Sequence, residues 1–158
     1  MNRLDKHVYA ERTDFRHRDF VFLTEYLDKE LRANDGDEAD YYANFNKIDN
    51  IQHVILVYEG NVAVACGAFK PYKDKTVEIK RMFVPFNHRG KRFSSFVLHE
   101  LEKWAMESGY TSAILETGKT QTAAIHLYQK KGYKIIPNYD QYVGVKNSVC
   151  MFKDLTNG

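Results

Sequence analysis

A short basic loop, residues 86–95, could bind phosphate. It reads Phe-Asn-His-Arg-Gly-Lys-Arg-Phe-Ser-Ser, and Arg89, Lys91 and Arg92 give it three side-chain positive charges. The loop lies between a predicted strand and a predicted helix, and the first N–H groups of a helix carry partial positive charge without an intrahelical partner. That arrangement suits a phosphate or a pyrophosphate. Taken alone, the same loop could be a solvated basic turn or a nucleic-acid patch.

Two carboxylates could act as a general base. Glu78 lies in the strand that precedes the loop, and Glu116 lies at the end of the next predicted strand. An ammonium must lose a proton before its nitrogen can act as a nucleophile, and a carboxylate within reach can take that proton directly or through water. Glu78 is the first candidate and Glu116 is its rival. A structural pair between Glu78 and a neighbouring Lys or Arg is the alternative.

The elements that position these residues can be predicted from hydrophobic periodicity. Residues 76–84 alternate, which places Glu78 and Arg81 on opposite faces of a strand. The predicted helices are 18–33, 38–45, 93–108 and 120–131, and the predicted strands are 8–13, 53–58, 62–69, 76–84, 112–116, 133–136 and 146–153. This order, with a meander followed by alternating helices and strands, predicts a single-domain α/β fold with a mixed sheet.

Two segments, in their order and spacing, resemble the GNAT superfamily of N-acetyltransferases. Residues 89–94, Arg-Gly-Lys-Arg-Phe-Ser, align with the family signature Arg/Gln-x-x-Gly-x-Gly/Ala. Arg92 stands where the signature has its first glycine, and Ser94 stands where it has glycine or alanine. Residues 124–133, Ala-Ile-His-Leu-Tyr-Gln-Lys-Lys-Gly-Tyr, resemble the family pattern Ala-x-x-Leu-Tyr-x-Lys-x-Gly-Phe. The resemblance covers about residues 51–155.

The resemblance implies a mixed central sheet of about seven strands, mostly antiparallel, with about four helices and a splayed pair of fourth and fifth strands. In the family, the gap between those strands admits the pantetheine arm of acetyl-coenzyme A (acetyl-CoA), whose amides pair with strand backbone. Gln121 stands where the family often has an asparagine that contacts the coenzyme. No metal is implied. The implied coenzyme-binding residues are Met82, Phe83, Val84, Arg89, Gly90, Lys91, Arg92, Phe93, Ser94, Gln121 and Tyr128.

The resemblance also gives a role to Tyr128. The family's tyrosine at this place lies near the coenzyme sulfur and protonates the leaving thiolate. A phenol can donate a hydrogen bond to developing negative charge without ionising at pH 7. A core tyrosine with a satisfied hydroxyl is the alternative. Gly132 is expected to end the helix with a positive φ, and His126 is expected to lie at the surface or to be partly buried.

The acceptor pocket of such folds is framed by the first two helices and by the loop between the last two strands. These segments are rich in aromatic residues here, and residues 138–142 form a polar loop that is long for a plain hairpin. Tyr41, Tyr139 and Tyr142 are therefore candidate substrate contacts, with surface tyrosines as the alternative. An amino acid, a polyamine, an antibiotic and a protein N-terminus all remain open as acceptors.

Bulk composition argues against several classes of protein. The 158 residues carry 23 Lys and Arg against 21 Asp and Glu, which predicts no strong attraction to nucleic acid or to a membrane surface. No apolar run approaches the ~18 residues of a membrane helix, and residues 1–19 contain no signal-peptide apolar region. Cys66 and Cys150 are far apart in sequence, which predicts reduced, buried thiols in a cytoplasmic protein.

Together these features predict an acetyl-CoA-dependent N-acetyltransferase. The acetyl group would pass to a primary amine of a small molecule by direct attack in a ternary complex, with Glu78 as the base and Tyr128 as the acid. The alternatives are a non-catalytic module that binds or senses acyl-CoA, and a protein N-terminal or lysine acetyltransferase. The final strands would permit a homodimer.

Overall fold

A computed structural model describes residues 7–35 and 50–157 of the chain. These ranges contain three α-helices: α1 (Arg18–Asp35), α2 (Phe93–Glu107) and α3 (Thr122–Lys130). The strands are β1 (Val8–Thr13), β2 (His53–Glu59), β3 (Val62–Pro71), β4 (Thr76–Phe83), β5 (Ser112–Gly118), β6 (Lys134–Ile136) and β7 (Ser148–Asp154). The sequence predicts about four helices, but the one expected at 38–45 lies outside the described residues. The described ranges therefore hold three.

The seven strands form one mixed sheet in the order β1-β2-β3-β4-β5-β7-β6. β1 with β2, β2 with β3, β5 with β7 and β6 with β7 are antiparallel, whereas β4 and β5 are parallel. This confirms the predicted mixed, mostly antiparallel sheet of seven strands. The parallel ladder joins residues 76–78 to residues 112–114, although both strands continue beyond it. The splay of the two strands stays a prediction.

The chain divides into two compact units, Met1–Lys70 with Lys80–Leu101 and Pro71–Ile79 with Glu102–Gly158. The predicted single domain therefore stays a prediction. In the first unit, the helical spacing of Phe20, Leu23 and Leu27 places them on one face of α1, where they pack into the core. The buried residues of this core are Phe20, Leu23, Ile51, Val54, Leu56, Tyr58, Cys66, Ala68 and Phe83.

The second unit is built on β5, β6 and β7. The last strand in sequence, β7, lies between β5 and β6 and is antiparallel to both. It begins at Ser148 rather than at 146 because a 3₁₀ turn, Asp140–Tyr142, and further turns occupy the connection from β6. The buried side chains of this unit include Leu115, Tyr128 and Met151.

β4 is buried on both faces in its first half. Val77, Glu78 and Ile79 are all buried, and after them buried and partly buried residues alternate. Parallel strands are commonly covered on both faces, which accounts for the consecutive buried residues. Burial of Glu78 is therefore compatible with the alternation that the sequence predicts.

The second half of β4 contains a buried arginine in an unusual conformation. Arg81 has a φ of 58°, in the left-handed region that bulky residues rarely adopt. Its guanidinium donates to the Asp28 carboxylate at 2.8 Å and to the Thr24 carbonyl at 3.2 Å, both on α1. The Cys66 thiol donates to the Arg81 carbonyl at 3.4 Å. Contacts of its side chain and of its carbonyl thus keep Arg81 in a backbone conformation that would otherwise be unfavourable.

Gly67 allows a close approach of side chains inside the first unit. A Cβ at this position would lie 2.6 Å from Cγ1 of Val97, 2.7 Å from Sδ of Met82 and 3.0 Å from Cδ1 of Leu101. We expect Gly67→Ala to lower the free energy of unfolding by about 1–3 kcal/mol, because the core must shift to admit the methyl group. Urea unfolding followed by circular dichroism measures the change.

Gly118→Ala is the matched control. Its Cβ would meet Cγ of Gln121 at 3.4 Å, an ordinary contact, and the backbone there is not left-handed. This variant should stay within about 0.5 kcal/mol of the parent. Equal destabilisation by the two substitutions would contradict the close packing at Gly67.

Candidate active site

The basic loop lies between β4 and α2, where the sequence predicts it. A 3₁₀ turn, Phe86–His88, follows β4, and α2 begins at Phe93. Gly90 has a φ of 82° and Arg92 a φ of 67°. Left-handed backbone favours glycine, so the conformation of Arg92 explains why the family signature carries a glycine at this position.

The start of α2 offers donors to an anion. The Phe96 N–H donates to the Arg92 carbonyl at 3.1 Å, so the preceding N–H groups belong to the first turn, which has no intrahelical acceptors. Lys91 and Arg92 are exposed beside this turn. Backbone donors and two cations make a donor set that fits the pyrophosphate of a coenzyme.

Arg89 is engaged by other parts of the first unit. Its Nε donates to the Val84 carbonyl at 2.8 Å, and its terminal nitrogen donates to the Glu30 carboxylate on α1 at 2.6 Å. The guanidinium also lies 5.9 Å from the ring centre of Phe83 and 5.7 Å from that of Phe86. These contacts tie the loop to the end of β4 and to α1. The predicted coenzyme contacts of Arg89 and of the Val84 backbone stay predictions.

Tyr128 lies in the last turn of α3, and 6% of it is exposed. The helix ends in a Schellman motif, in which the Tyr133 N–H donates to the Tyr128 carbonyl at 2.9 Å and the Gly132 N–H to the Gln129 carbonyl at 3.1 Å. Gly132 has a φ of 99°, which confirms its predicted role. This motif fixes the backbone that carries Tyr128.

The Tyr128 phenol keeps its proton. Burial raises its pKa above the ordinary value, and the nearby Glu116 carboxylate raises it further. Within residues 7–35 and 50–157, no side chain accepts a hydrogen bond from its hydroxyl. Tyr128 therefore combines a protonated hydroxyl with an available donor, which is what an acid at a leaving group requires.

Glu78 is a buried carboxylate with a neutral partner. It is 5% exposed, and its Oε2 accepts a hydrogen bond from the Tyr139 hydroxyl at 2.6 Å. In the described part of the chain, no lysine or arginine forms an ion pair with it. The alternative of a structural pair with a neighbouring cation is thus not found among these residues.

Glu116 lies in the same neighbourhood of the second unit. It is half-buried on β5, and its Oε2 accepts from the Ser148 hydroxyl at 2.7 Å. Burial raises the pKa of Cys150 to about 11, and the carboxylates of Glu116 and Glu78 add to that rise. Burial raises the pKa of Tyr142 as well, and the same two carboxylates contribute. Glu78 and Glu116 therefore both raise the pKa values of the same two side chains, Cys150 and Tyr142.

The tyrosines predicted to contact the substrate differ in how exposed they are. Tyr142 is 2% exposed, which leaves almost no surface for a substrate, whereas Tyr139 is partly exposed and bonded to Glu78. Tyr41 lies outside the described residues. Gln121 precedes α3, is partly exposed and makes no side-chain capping bond. The substrate roles of these tyrosines and the coenzyme role of Gln121 stay predictions.

His126 and the two cysteines have the exposure that the sequence predicts. His126 is exposed, and Cys66 and Cys150 are free and buried, as predicted. Among the described residues there is no group of three or more His, Cys, Asp or Glu that could hold a metal ion. No helix in the same residues is both long and apolar enough to cross a membrane.

Sequence reasoning missed the Glu78–Tyr139 bond and the Arg89–Glu30 pair. Their partners are 61 and 59 residues apart, and no local pattern marks either one. The length of the polar loop around Tyr139 was the one available signal, and it indicated a substrate contact rather than a bond to the base.

A sequence model of the acetyltransferase (GNAT) family matches residues 20–133. This match spans more than half of the chain, so the chain belongs to the GNAT family.

Solved structures have the same fold. A protein from Klebsiella pneumoniae assigned as an acyl-CoA N-acyltransferase superimposes with a TM-score of 0.76 at 25% identity, covering 94% of this chain and 97% of that one. A GNAT family acetyltransferase from Elizabethkingia anophelis, solved with acetyl-CoA bound, gives a TM-score of 0.65 at 15% identity over 94% and 98% of the two chains. The second likeness shows the fold alone.

Curated relatives include N-acetylaspartate synthetases. The mouse protein (Mus musculus) is 30% identical over 118 residues, which cover 75% of this chain and 38% of that protein. An uncharacterised N-acetyltransferase from Bacillus subtilis is 30% identical over 91 residues, covering 58% of this chain and 62% of that one. The chain spans less than half the length of the N-acetylaspartate synthetases that it matches.

The buried tyrosines predict a loss of stability in alkali. Burial raises the pKa of Tyr128, Tyr139 and Tyr142 in the folded protein, whereas tyrosines of the unfolded chain titrate near 10.0. Above that pH the unfolded state releases protons that the folded state keeps, so stability that is complete at lower pH is lost as pH rises. The buried thiols begin this loss nearer pH 9.0, which is the ordinary pKa of a thiol and applies to the unfolded chain. In the folded protein their pKa is raised to about 12 at Cys66 and to about 11 at Cys150.

Urea unfolding between about pH 8 and about pH 11 measures the slope of stability against pH. Tyr142→Phe should make the slope less steep, and Tyr26→Phe, at an exposed tyrosine, should leave it unchanged. A flat stability profile across this range would contradict the prediction.

Arg92 allows backbone strain and charge to be separated. Arg92→Gly and Arg92→Ala both remove the charge, but only glycine relieves the left-handed backbone. We expect the glycine variant to be more stable than the alanine variant by about 1 kcal/mol. Both should bind acetyl-CoA more weakly and with less dependence on salt, because one cation is lost near the phosphates. Urea unfolding and calorimetric titration test the two effects, and unchanged affinity in both variants would exclude Arg92 from the phosphate site.

Proposed function

We propose that this chain transfers the acetyl group of acetyl-CoA to a primary amine of a small molecule within a ternary complex. The observation that carries the proposal is Glu78, a nearly buried carboxylate with a neutral hydrogen-bond partner and no described cation. A carboxylate in that state can attract an ammonium and take its proton. The N-acetylaspartate synthetases are named for an acetylated amino acid, which supports a small acceptor for this chain.

The coenzyme would be held by the first unit at the start of α2. The backbone N–H groups of residues 90–94, with the charges of Lys91 and Arg92, suit the pyrophosphate. The backbone of residues 82–84 would pair with the pantetheine amides, and Gln121 would add a further contact. When bound, acetyl-CoA supplies the activated acetyl group.

The reaction then needs three proton transfers. Glu78 takes a proton from the acceptor ammonium, and the freed nitrogen attacks the thioester carbonyl carbon. The C–N bond forms as the C–S bond breaks, and the Tyr128 hydroxyl donates its proton to the sulfur. The nitrogen loses its second proton as the amide forms, and that proton restores the Tyr128 hydroxyl. Neither Cys66 nor Cys150 is suited to act as a nucleophile, since both are buried with raised pKa values. Glu116, beside Tyr128, is the alternative base.

Tyr128→Phe tests the acid role. The variant keeps the ring and its packing but loses the hydroxyl, so we expect kcat to fall by about 100-fold or more while acetyl-CoA affinity is retained. Thiol release from acetyl-CoA in the presence of an amine panel measures kcat, and calorimetry measures affinity.

Tyr133→Phe is the matched control, because its ring packs against Tyr128 at 5.8 Å and its hydroxyl bonds to Glu102. It should keep kcat within a few-fold of the parent. Full turnover in Tyr128→Phe would refute the acid role. Tight coenzyme binding by the parent without turnover on any amine would refute transferase activity and favour an acyl-CoA sensor.

A further inference from the structure

We propose that Tyr139 is a positioning residue for Glu78: its hydroxyl holds Oε2 of the carboxylate, so that Oε1 is the oxygen that takes the proton of the acceptor amine. This inference rests on the proposed function. It gives Tyr139 a role distinct from the substrate contact that the sequence predicts.

The contact itself is short and specific. The distance of 2.6 Å between the Tyr139 hydroxyl oxygen and Oε2 of Glu78 is that of a strong bond from a hydroxyl to a charged acceptor. Among the described residues, Tyr139 is the one hydrogen-bond partner of the Glu78 side chain. A carboxylate that is 5% exposed and has a single donor depends on that donor for its orientation.

The ring of Tyr139 is held on two sides. It makes edge-to-face contacts with Tyr72 at 5.3 Å and with Tyr142 at 5.4 Å between ring centres. Such contacts restrict rotation of the ring and fix the direction in which the hydroxyl points. All three tyrosines and Glu78 belong to the second unit.

The loop that carries Tyr139 is also built for a fixed shape. The Asn138 side-chain amide donates to the Tyr142 carbonyl at 3.0 Å and to the Val145 carbonyl at 3.1 Å. The Tyr142 N–H donates to the Tyr139 carbonyl at 2.9 Å, and Asp140 is held at a φ of 46°. The left-handed backbone of Asp140 is unfavourable, and the hydrogen bonds on either side of it hold the loop in that conformation.

The charges around the pair allow Tyr139 to remain a donor. Burial raises the pKa of the Tyr139 phenol, and the Glu78 carboxylate raises it further, so the hydroxyl keeps its proton at neutral pH. The other titratable groups that act on this cluster are Tyr142 on the same loop, Cys150 on β7 and Glu116 on β5.

This arrangement assigns one role to each oxygen. Donation to Oε2 favours the ionised form of a carboxylate, which is the form that accepts a proton. The proton that leaves the amine nitrogen goes to Oε1 of Glu78, and Tyr139 keeps its own. Tyr139 therefore acts through Glu78.

Tyr139→Phe is the test, because it keeps the ring contacts and removes only the hydroxyl. We expect kcat/KM for the amine to fall by about 10- to 100-fold, with KM for acetyl-CoA unchanged. The acid limb of the kcat/KM profile should move to higher pH by about one unit, since the ionised carboxylate has lost its donor. Tyr72→Phe, which removes the neighbouring hydroxyl but leaves the bond to Glu78, should keep the pH profile of the parent. An unmoved acid limb in Tyr139→Phe would overturn the proposal.

A second measurement does not depend on catalysis. In protein labelled with carbon-13 at the glutamate carboxyls, Glu78→Gln identifies the Glu78 resonance by its disappearance. In Tyr139→Phe the midpoint of that resonance's pH titration should rise, and in Tyr72→Phe it should not. An unchanged midpoint would overturn the inference. A parent protein that binds acetyl-CoA and acetylates no amine would instead overturn the proposed function, and the resonance would still decide whether Tyr139 controls Glu78.

Discussion

The rest of the structure depends on the two charges that β4 buries. Its first half is a parallel strand covered on both faces and contains Glu78, and its second half contains Arg81 in a left-handed conformation. Removing a charge from water costs several kcal/mol unless a partner compensates for it. Each charge therefore has a dedicated partner from elsewhere in its own unit: α1 supplies Asp28 to Arg81, and the β6–β7 loop supplies Tyr139 to Glu78.

The two partners differ in kind, because one carries a charge and the other is neutral. Arg81 has an opposite charge at 2.8 Å, so it is neutralised and fixed against α1. Glu78 has a neutral phenol, which stabilises a carboxylate without cancelling its charge. A lysine in place of Tyr139 would satisfy the same burial but would neutralise the carboxylate. A phenol partner therefore fits the base role that we propose for Glu78.

Features with local causes could be predicted from the sequence, and features that depend on strand order could not. The spacing of Phe20 and Leu23 predicts the buried face of α1, and Gly132 predicts the end of α3, because periodicity and backbone freedom act within a few residues. The Glu78–Tyr139 bond joins residues 61 apart. It depends on β7 pairing between β5 and β6, an arrangement that no local pattern encodes. The sequence could therefore name both residues but could not pair them.

The basic loop before α2 also contains a residue in an unfavourable backbone conformation. Arg81, Arg92 and Asp140 all have positive φ, and each such residue costs about 1–2 kcal/mol. Arg81 is offset by its buried ion pair, and Asp140 lies in a loop clamped by Asn138. Arg92 is exposed, and no described side chain bonds to it. Burial cannot explain an arginine there, since a glycine would adopt the same backbone without strain. What arginine adds at this position is a positive charge beside the first turn of α2, which suits the phosphate site that we propose there.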